Sequence, residues 1–420
     1  MIHQIGLKLR EQIDKFSGEL SRGLCKARRR FVGEMLYGIQ ARGSVRLTEI
    51  ARSLSEPIRV KKTHERLCRN LSDAEIRDVV GKELLRQGSA RVSKDSLLVV
   101  DLSDLSKKYA QKMEYLGEVR DGSENQIWRG YHLCEVVGAK VGSSEIIPLS
   151  QSLWSQEAPD FVSENAELLS QLRGIRSATG GRGIYVMDRG GDRGELYGEL
   201  VPGGYRFLIR QRGDRHLLYQ GKKVETRVLA GLCRMHYAET VVKEEKEGKE
   251  RIYHLEFGYL PVRLPDWPEV PLWLVVVKGF GEEPMMLLTT EPMRRSRKVV
   301  WWAVEAYLTR WRVEETIRFL KQSYHLEDIR VLTYESLKNL VMLVFACFFF
   351  AAIYLGARAK LRILVAHVLK AGKRLFGIPD FRYYAIADGI REILFRLGKG
   401  PAIPRYAEIR GDPQMSLLDF

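Results

Sequence analysis

Three acidic residues stand where a chain could use them to hold cations. Asp101 follows the apolar run Leu97-Leu98-Val99-Val100, and Asp188 follows Ile184-Tyr185-Val186-Met187. Continuous apolar runs of this length read as strands buried on both faces. An acid closing such a strand lies at its carboxyl end, where open α/β sheets place their ligands. Adjacent strands are ~5 Å apart, so two such carboxylates can share divalent cations, which prefer oxygen ligands. A lone strand-end Asp is more often a turn or cap residue, so neither acid means much without a companion. The third acid lies in YLTRWRVEETIRFLK, where Tyr307, Arg310, Glu314, Arg318 and Lys321 recur at helical spacing along one stripe. Such a mixture of aromatic, cationic and acidic groups is not a core face. It reads either as a solvated face with Arg310 and Glu314 paired one turn apart, or as a surface whose cations hold phosphates while Glu314 reaches a metal. Glu315 points away from the stripe. Asp104, Asp192 and Glu305 flank the three positions as weaker candidates.

The elements that must position these groups follow from patterning. YHLCEVVGAKVG and EIIPLSQSLW read as the strands after Asp101, residues 160–174 as a helix, and GIYVMDRGGD as a second buried strand. Residues 205–289 carry strand signals in YRFLIRQ, RIYHLEFGYLPVRL, PLWLVVVKG and PMMLLTT, with the charged run KEEKEGKER read as a solvated hairpin turn. Helical periodicity returns at about Val299 and continues to near residue 375. The expected organisation is a helical region at 1–75, a catalytic domain at 90–202 and 290–375 interrupted by a β-rich insertion at 203–289, and a C-terminal region at 376–420. The 126 positions between Asp188 and Glu314 themselves require an insertion. The run Leu340–Leu355 is short of the ~20 residues a membrane span needs and reads as a helix buried on all sides.

The spacing Tyr307-x2-Arg310-x3-Glu314-x6-Lys321 resembles the Y-R-E-K signature of the insertion-sequence-four family of DDE transposases. Asp101 in VVDLSDLSK and Asp188 in VMDRGGD are similar to that family's two aspartates. The resemblance covers about residues 30–360. It implies an α/β, ribonuclease-H-like catalytic domain with a β-rich insertion, flanked by a helical N-terminal DNA-binding domain and a helical C-terminal region. It implies an enzyme that cuts and joins the ends of its own mobile element. Asp101, Asp188 and Glu314 would hold two Mg²⁺ (or Mn²⁺) ions, which suit phosphodiester chemistry because they activate the attacking oxygen and stabilise the departing one. Arg310, Lys321 and Arg318 would hold phosphates and Tyr307 would touch DNA beside the cleaved bond. A nuclease without strand transfer and a catalytically dead DNA-binding regulator are the competing readings. One departure is informative. Relatives that cut through a DNA hairpin carry a tryptophan where alignment on Leu287-Leu288-Thr289 puts Met285, which has no π-face for a flipped base. Trp273, Trp301 and Trp302 lie elsewhere and read as core.

The partner is constrained by charge. The chain of 420 residues carries a net +15, which fits a polyanion such as double-stranded DNA or, more blandly, a solvated basic surface. Residues 1–70 hold 16 Lys/Arg against 7 Asp/Glu. Within them LTEIARSL, with Thr48 as the expected N-cap, stops at Ser55-Glu56-Pro57, and KKTHERLCRNL restarts at Lys61 with Lys61, Lys62, Arg66 and Arg69 as a basic face. This is compatible with a helix-turn-helix and equally with a plain bundle. Pairing of two element ends leads to the expectation of a homodimer on DNA. Five scattered cysteines make neither a zinc motif nor a disulfide framework, and the amphipathic opening MIHQIGLKLREQIDKF has no apolar leader. The expected location is therefore the cytoplasm of a bacterium or archaeon, on the nucleoid and away from membranes. Finally, Gln414-Met415-Ser416-Leu417-Leu418 resembles the pentapeptide with which bacterial proteins engage the replication sliding clamp, with Phe420 as an added apolar group. Docking of this tail on its own domain is the alternative.

Overall fold

Leu97, Leu98, Val99 and Val100 are all buried, and they alternate between two separate apolar clusters on opposite faces of one sheet. Covering on both faces is why the run lacks polar alternation. It opens β1 (Leu97–Ser106), the strand around which the fold is organised. The structure is a computed structural model that describes residues 2–121, 126–244, 250–355, 361–376, 381–398 and 400–401.

Five helices precede β1: α1 (Ile2–Leu20), α2 (Lys26–Arg42), α3 (Leu47–Ser53), α4 (Val60–Leu71) and α5 (Ala74–Ser89). The strands β2 (Gly117–Asp121), β3 (Gln126–Ala139) and β4 (Ile146–Trp154) follow, then α6 (Glu164–Thr179), β5 (Ile184–Met187), α7 (Gly194–Leu200) and β6 (Phe207–Arg210). Next come β7 (His216–Tyr219), β8 (Lys222–Glu225), α8 (Thr226–Leu232), β9 (Tyr237–Glu244), β10 (Glu250–Leu264), β11 (Trp267–Lys278) and β12 (Met285–Thr289). The chain continues through α9 (Arg297–Thr309), α10 (Trp311–Ser323), α11 (Tyr334–Phe349), α12 (Leu361–Phe376) and α13 (Tyr383–Leu397).

The heart of the sheet runs β4-β3-β1-β5-β6. β4, β3 and β1 pair antiparallel, whereas β5 lies parallel to β1 and β6 parallel to β5. This mixed pairing puts the acid-bearing β1 in the middle of these five strands. The segment between β6 and β12 does not fold away as a body of its own. β12 returns antiparallel beside β6 and pairs with β11, which pairs with β10, so the insertion lengthens the same 12-stranded sheet. β9 and β10 pair antiparallel up to Glu244 and Glu250, as a hairpin requires; the tip itself, 245–249, lies outside the described residues.

Helices cover both faces. α6, α7 and α8 bury Leu168, Leu172, Ile175, Leu196, Leu200 and Leu229 on one side. On the other, α1–α5 and α9–α13 share a single core with the opposite face of β1 and β3. α11 runs through that core and continues into a π-helical turn, Phe350–Tyr354. Tyr334–Tyr354 is apolar and long enough to cross a membrane, but 89% of its apolar window is buried in protein. α12 and α13 close together through glycine. A Cβ at Gly372 would stand 2.2 Å from the Ala385 carbonyl oxygen, and one at Gly389 would stand 1.9 Å from that of Val368.

Several expectations are corrected. The helical N-terminal region does not end near residue 75, because α5 begins at Ala74 and runs to Ser89. Thr48 is inside α3, whose N-cap is Arg46. α13 lies in the C-terminal region, which was expected to be helical without bounds being given for a helix there. Asp101 is not at a strand end: β1 runs five residues past it.

Candidate active site

The parallel register of β1 and β5 pairs Leu97 with Ile184, Leu98 with Tyr185 and Val99 with Val186. The same offset places Asp188, the residue after β5, level with Asp101. Asp188 is exposed, and its Oδ1 accepts a 2.7 Å hydrogen bond from Gly190 N, capping the single 3-10 turn Arg189–Gly191. The cap fixes the carboxylate at the strand mouth.

The third acid approaches from the helices. α9 and α10 are not one helix: they meet at Arg310, whose N–H bonds back to the Tyr307 carbonyl at 3.0 Å. The joint turns Arg310 into the sheet. With its side chain 8% exposed, Arg310 donates to Asp101 Oδ1 at 3.4 Å and to Glu314 Oε1 at 2.7 Å. One guanidinium therefore bridges two carboxylates that are 213 positions apart in sequence. Arg310 and Glu314 do pair one turn apart, but the stripe is solvated only in its outer part, at Glu314 and Arg318. Tyr307 is fully buried beneath Arg310, with its ring 5.5 Å from the guanidinium and its hydroxyl without a partner. Glu314 is half exposed at the mouth, and Arg318, further out, pairs with Glu315. Lys321 Nζ lies 3.1 Å from Glu327 and 3.7 Å from Asp104.

Burial is the main influence on Asp101 and pushes its carboxyl up to about 7; Arg310 opposes the rise, and Glu314 and Asp188 add to it. Asp101 thus feels both of the other acids. The weaker candidates are resolved by their partners. Asp104 accepts from Ser106 Oγ at 2.8 Å and anchors Lys321. Asp192 is buried, accepts from Arg212 N at 2.9 Å and pairs with Arg215. Glu305 is half-buried on α9.

Sequence reasoning passed over Glu135. It lies directly opposite Asp101 in the β1–β3 pairing, has no exposed surface, and neither carboxyl oxygen has a partner. Burial, and then the neighbouring Asp101, drive its carboxyl far above the usual carboxylate range. The signal was there as the lone acid in the strand YHLCEVVGA. Lys107 was passed over too: buried, with its ammonium pulled down to about 8 by that burial, it donates to the Glu327 and Ile329 carbonyls at 2.6 and 3.0 Å. It ties the end of β1 to the loop after α10.

The basic face of α4 stands apart from these carboxylates. α4 packs on α2, α3 and α11. Lys61, Lys62 and Arg69 are exposed, whereas Arg66 pairs with Glu34 and, at 2.8 Å, with Glu56. Met285 is buried on β12 opposite Val277, so it offers no surface to a base. Trp301 packs on Phe257 with ring centroids 5.3 Å apart, and Trp273 and Trp302 are partly buried against the same core. Gln414, Leu417, Leu418 and Phe420 lie outside the described residues.

The donor set fits hard divalent cations: carboxylate oxygens converge at one strand mouth and a buried acid lacks any partner. They are not drawn together to ligating distance, and among the described residues no three acidic, His or Cys side chains form a ready cage. A family model described as "Transposase DDE domain" matches residues 82–350, from the middle of α5 to the end of α11. The chain belongs to this family. All three acids fall inside the matched DDE domain, as does the whole sheet. No curated protein matches the chain. Among solved structures it is similar to a piggyBac transposase synaptic complex with hairpin DNA, determined by cryo-electron microscopy. That likeness covers 97% of this chain and 83% of the other at 12% identity, with a TM-score of 0.45.

Proposed function

We propose that this transposase DDE domain cleaves and joins phosphodiester bonds at the ends of an insertion sequence, with Asp101, Asp188 and Glu314 holding two Mg²⁺ ions. The observation that carries the reading is the level placement of Asp188 beside Asp101 together with the Arg310 bridge from Asp101 to Glu314. When bound, Mg²⁺ (or Mn²⁺) supplies Lewis acidity to the attacking and departing oxygens. Asp101, which feels both other acids, would be the ligand common to the cations. Arg310 neutralises part of the acid cluster and holds Glu314 near Asp101. With cations and DNA in place, the guanidinium is released to a phosphate, for which its planar fork of donors is suited. Lys321 and Arg318, further along α10, follow the backbone of the same strand. Tyr307 supports Arg310 from below, and contact with DNA would require it to leave the core.

The exposed Lys61, Lys62 and Arg69 on α4 bind the terminal inverted repeats, with phosphate contacts setting position and affinity. Two ends brought together call for a homodimer on DNA, and the tail Gln414–Phe420 engages the replication sliding clamp. A cytoplasmic, nucleoid-bound location goes with this activity.

Inverted repeats flanking the gene would supply the substrate for the decisive assay. Asp101→Asn, Asp188→Asn and Glu314→Gln should each lower Mg²⁺-dependent end cleavage by about a thousandfold, several kcal/mol of transition-state stabilisation, while terminal-repeat binding persists. Full cleavage by any of the three removes that residue from the site. Cleavage without joined products would make the protein a nuclease, and binding without cleavage a regulator.

A further inference from the structure

We propose that Glu135 is a fourth carboxylate of the cation site, donating oxygen to the cation held by Asp101. The inference rests on the active-site reading above and adds a residue to it. Residues directly opposed in an antiparallel pair project from the same face, with Cβ atoms about 4.5–5.5 Å apart. Asp101 and Glu135 are such a pair. Their neighbours on that face, Leu97 and Val99 on β1 and Leu133 and Val137 on β3, all belong to the core beneath the helices. The two acids are thus the polar interruption in an apolar patch.

Among the described residues, other buried polar side chains make at least one hydrogen bond or ion pair, although Gln40, Gln151 and several tyrosine hydroxyls do not. Asn339 donates to the Leu71 and Asp73 carbonyls at 2.7 and 2.8 Å, Gln211 donates to the Tyr197 hydroxyl at 2.7 Å, and Asp192 pairs with Arg215. Among the described side chains left without a partner, Glu135 is the acid: it is 0% exposed, and both of its carboxyl oxygens are without a partner. Leaving such a group unpaired costs several kcal/mol, and an apolar side chain would serve the strand better. Across β3 its other neighbour is Gln151 on β4, whose amide nitrogen and oxygen are likewise buried and unpaired. Asp101, Glu135 and Gln151 form a polar row over three strands, at one end of which the acids converge. A divalent cation at Asp101 gives the missing partner to Glu135, since Mg²⁺ and Mn²⁺ seek about six oxygen ligands and three side chains leave places open. Arg310 does not supply that partner: its terminal nitrogens go to Asp101 and Glu314, and Glu135 receives no hydrogen bond.

The test is direct Mn²⁺ binding to the full-length protein without DNA, read from the electron paramagnetic resonance signal of free Mn²⁺. Glu135→Gln keeps the shape and removes the charge. It should weaken Mn²⁺ binding by about tenfold or more, and Asp101→Asn should do likewise. Wild-type Mn²⁺ affinity in Glu135→Gln, alongside lost affinity in Asp101→Asn, overturns the proposal and leaves the three-acid site standing. Wild-type affinity in both variants overturns the active-site reading and this inference with it. Thermal melts without metal check folding, and removal of a buried acid should leave the melting temperature at or above wild type. If Glu135→Gln unfolds, Glu135→Asp retains a carboxylate with shorter reach. It should fold and bind Mn²⁺ more weakly than wild type; unchanged affinity there overturns the proposal.

Discussion

Asp101 on β1 and Asp192 in the turn after β5 are both largely buried, yet the fold treats them in opposite ways. Asp192 receives a backbone N–H and the Arg215 guanidinium. Asp101 stands among Glu135, Asp188 and Glu314, and among the described residues Arg310 alone bridges into that group. An acid kept for structure is neutralised on the spot, whereas the acids of the candidate site share too little positive charge. A group of acids with so little positive charge among its own side chains is suited to holding cations.

The contrast is broken most readily through stability. Asp192→Ala strands Arg215 and should destabilise the protein by about 2 kcal/mol, moderated because Arg215 reaches water. Asp101→Asn should do the reverse in metal-free buffer. Its folded carboxyl sits at about 7, above the unfolded value of 3.8. The stability it contributes is fully present below pH ~4 and is lost as pH rises through 7. The wild-type melting temperature should therefore fall between pH 5 and pH 8 more steeply than that of Asp101→Asn. Parallel pH profiles for the two would mean that Asp101 is as well compensated as Asp192.

A smaller effect sharpens the role of the bridging cation. Arg310→Ala removes charged hydrogen bonds worth roughly 1.5–3 kcal/mol, so cleavage should drop roughly ten- to a hundredfold. Normal cleavage would reduce Arg310 to an ion-pair partner of Glu314. The smallest effect belongs to the other basic region. Ala substitutions at Lys61, Lys62 and Arg69 should weaken terminal-repeat binding and lower the salt slope by about one per lost phosphate contact, with cleavage of bound ends unchanged. An unaltered slope would leave α4 as an ordinary solvated face.

Most of what positions the site was legible because it is written in local patterning. The apolar runs before Asp101 and Asp188 became β1 and β5, and Leu340–Leu355 became a helix enclosed on all sides. What escaped depends on pairing between distant segments. Nothing near Leu102–Ser106 says that β1 continues, since Ser and Asp are poor strand formers and only the partner β3 holds them. Arg310 is a good helix former, so the joint between α9 and α10 is invisible until its side chain is drawn to Asp101. The merging of the insertion with the catalytic sheet rests on β12 finding β6, a contact about 80 positions away in sequence. Glu135 was visible as an odd acid, but its meaning lies wholly in the β1–β3 register. The bounds of α13 could have been read too, since Ile386, Ile390, Ile393 and Leu397 recur at helical spacing.

The most direct test is to locate Mn²⁺ by anomalous diffraction in crystals of the protein bound to a terminal-repeat end. The account requires density between Asp101, Asp188 and Glu314, with the Arg310 guanidinium moved from Asp101 to a phosphate. Saturating Mn²⁺ that leaves no density at Asp101, with Arg310 still bridging it to Glu314, would contradict the assignment of these carboxylates as the catalytic centre.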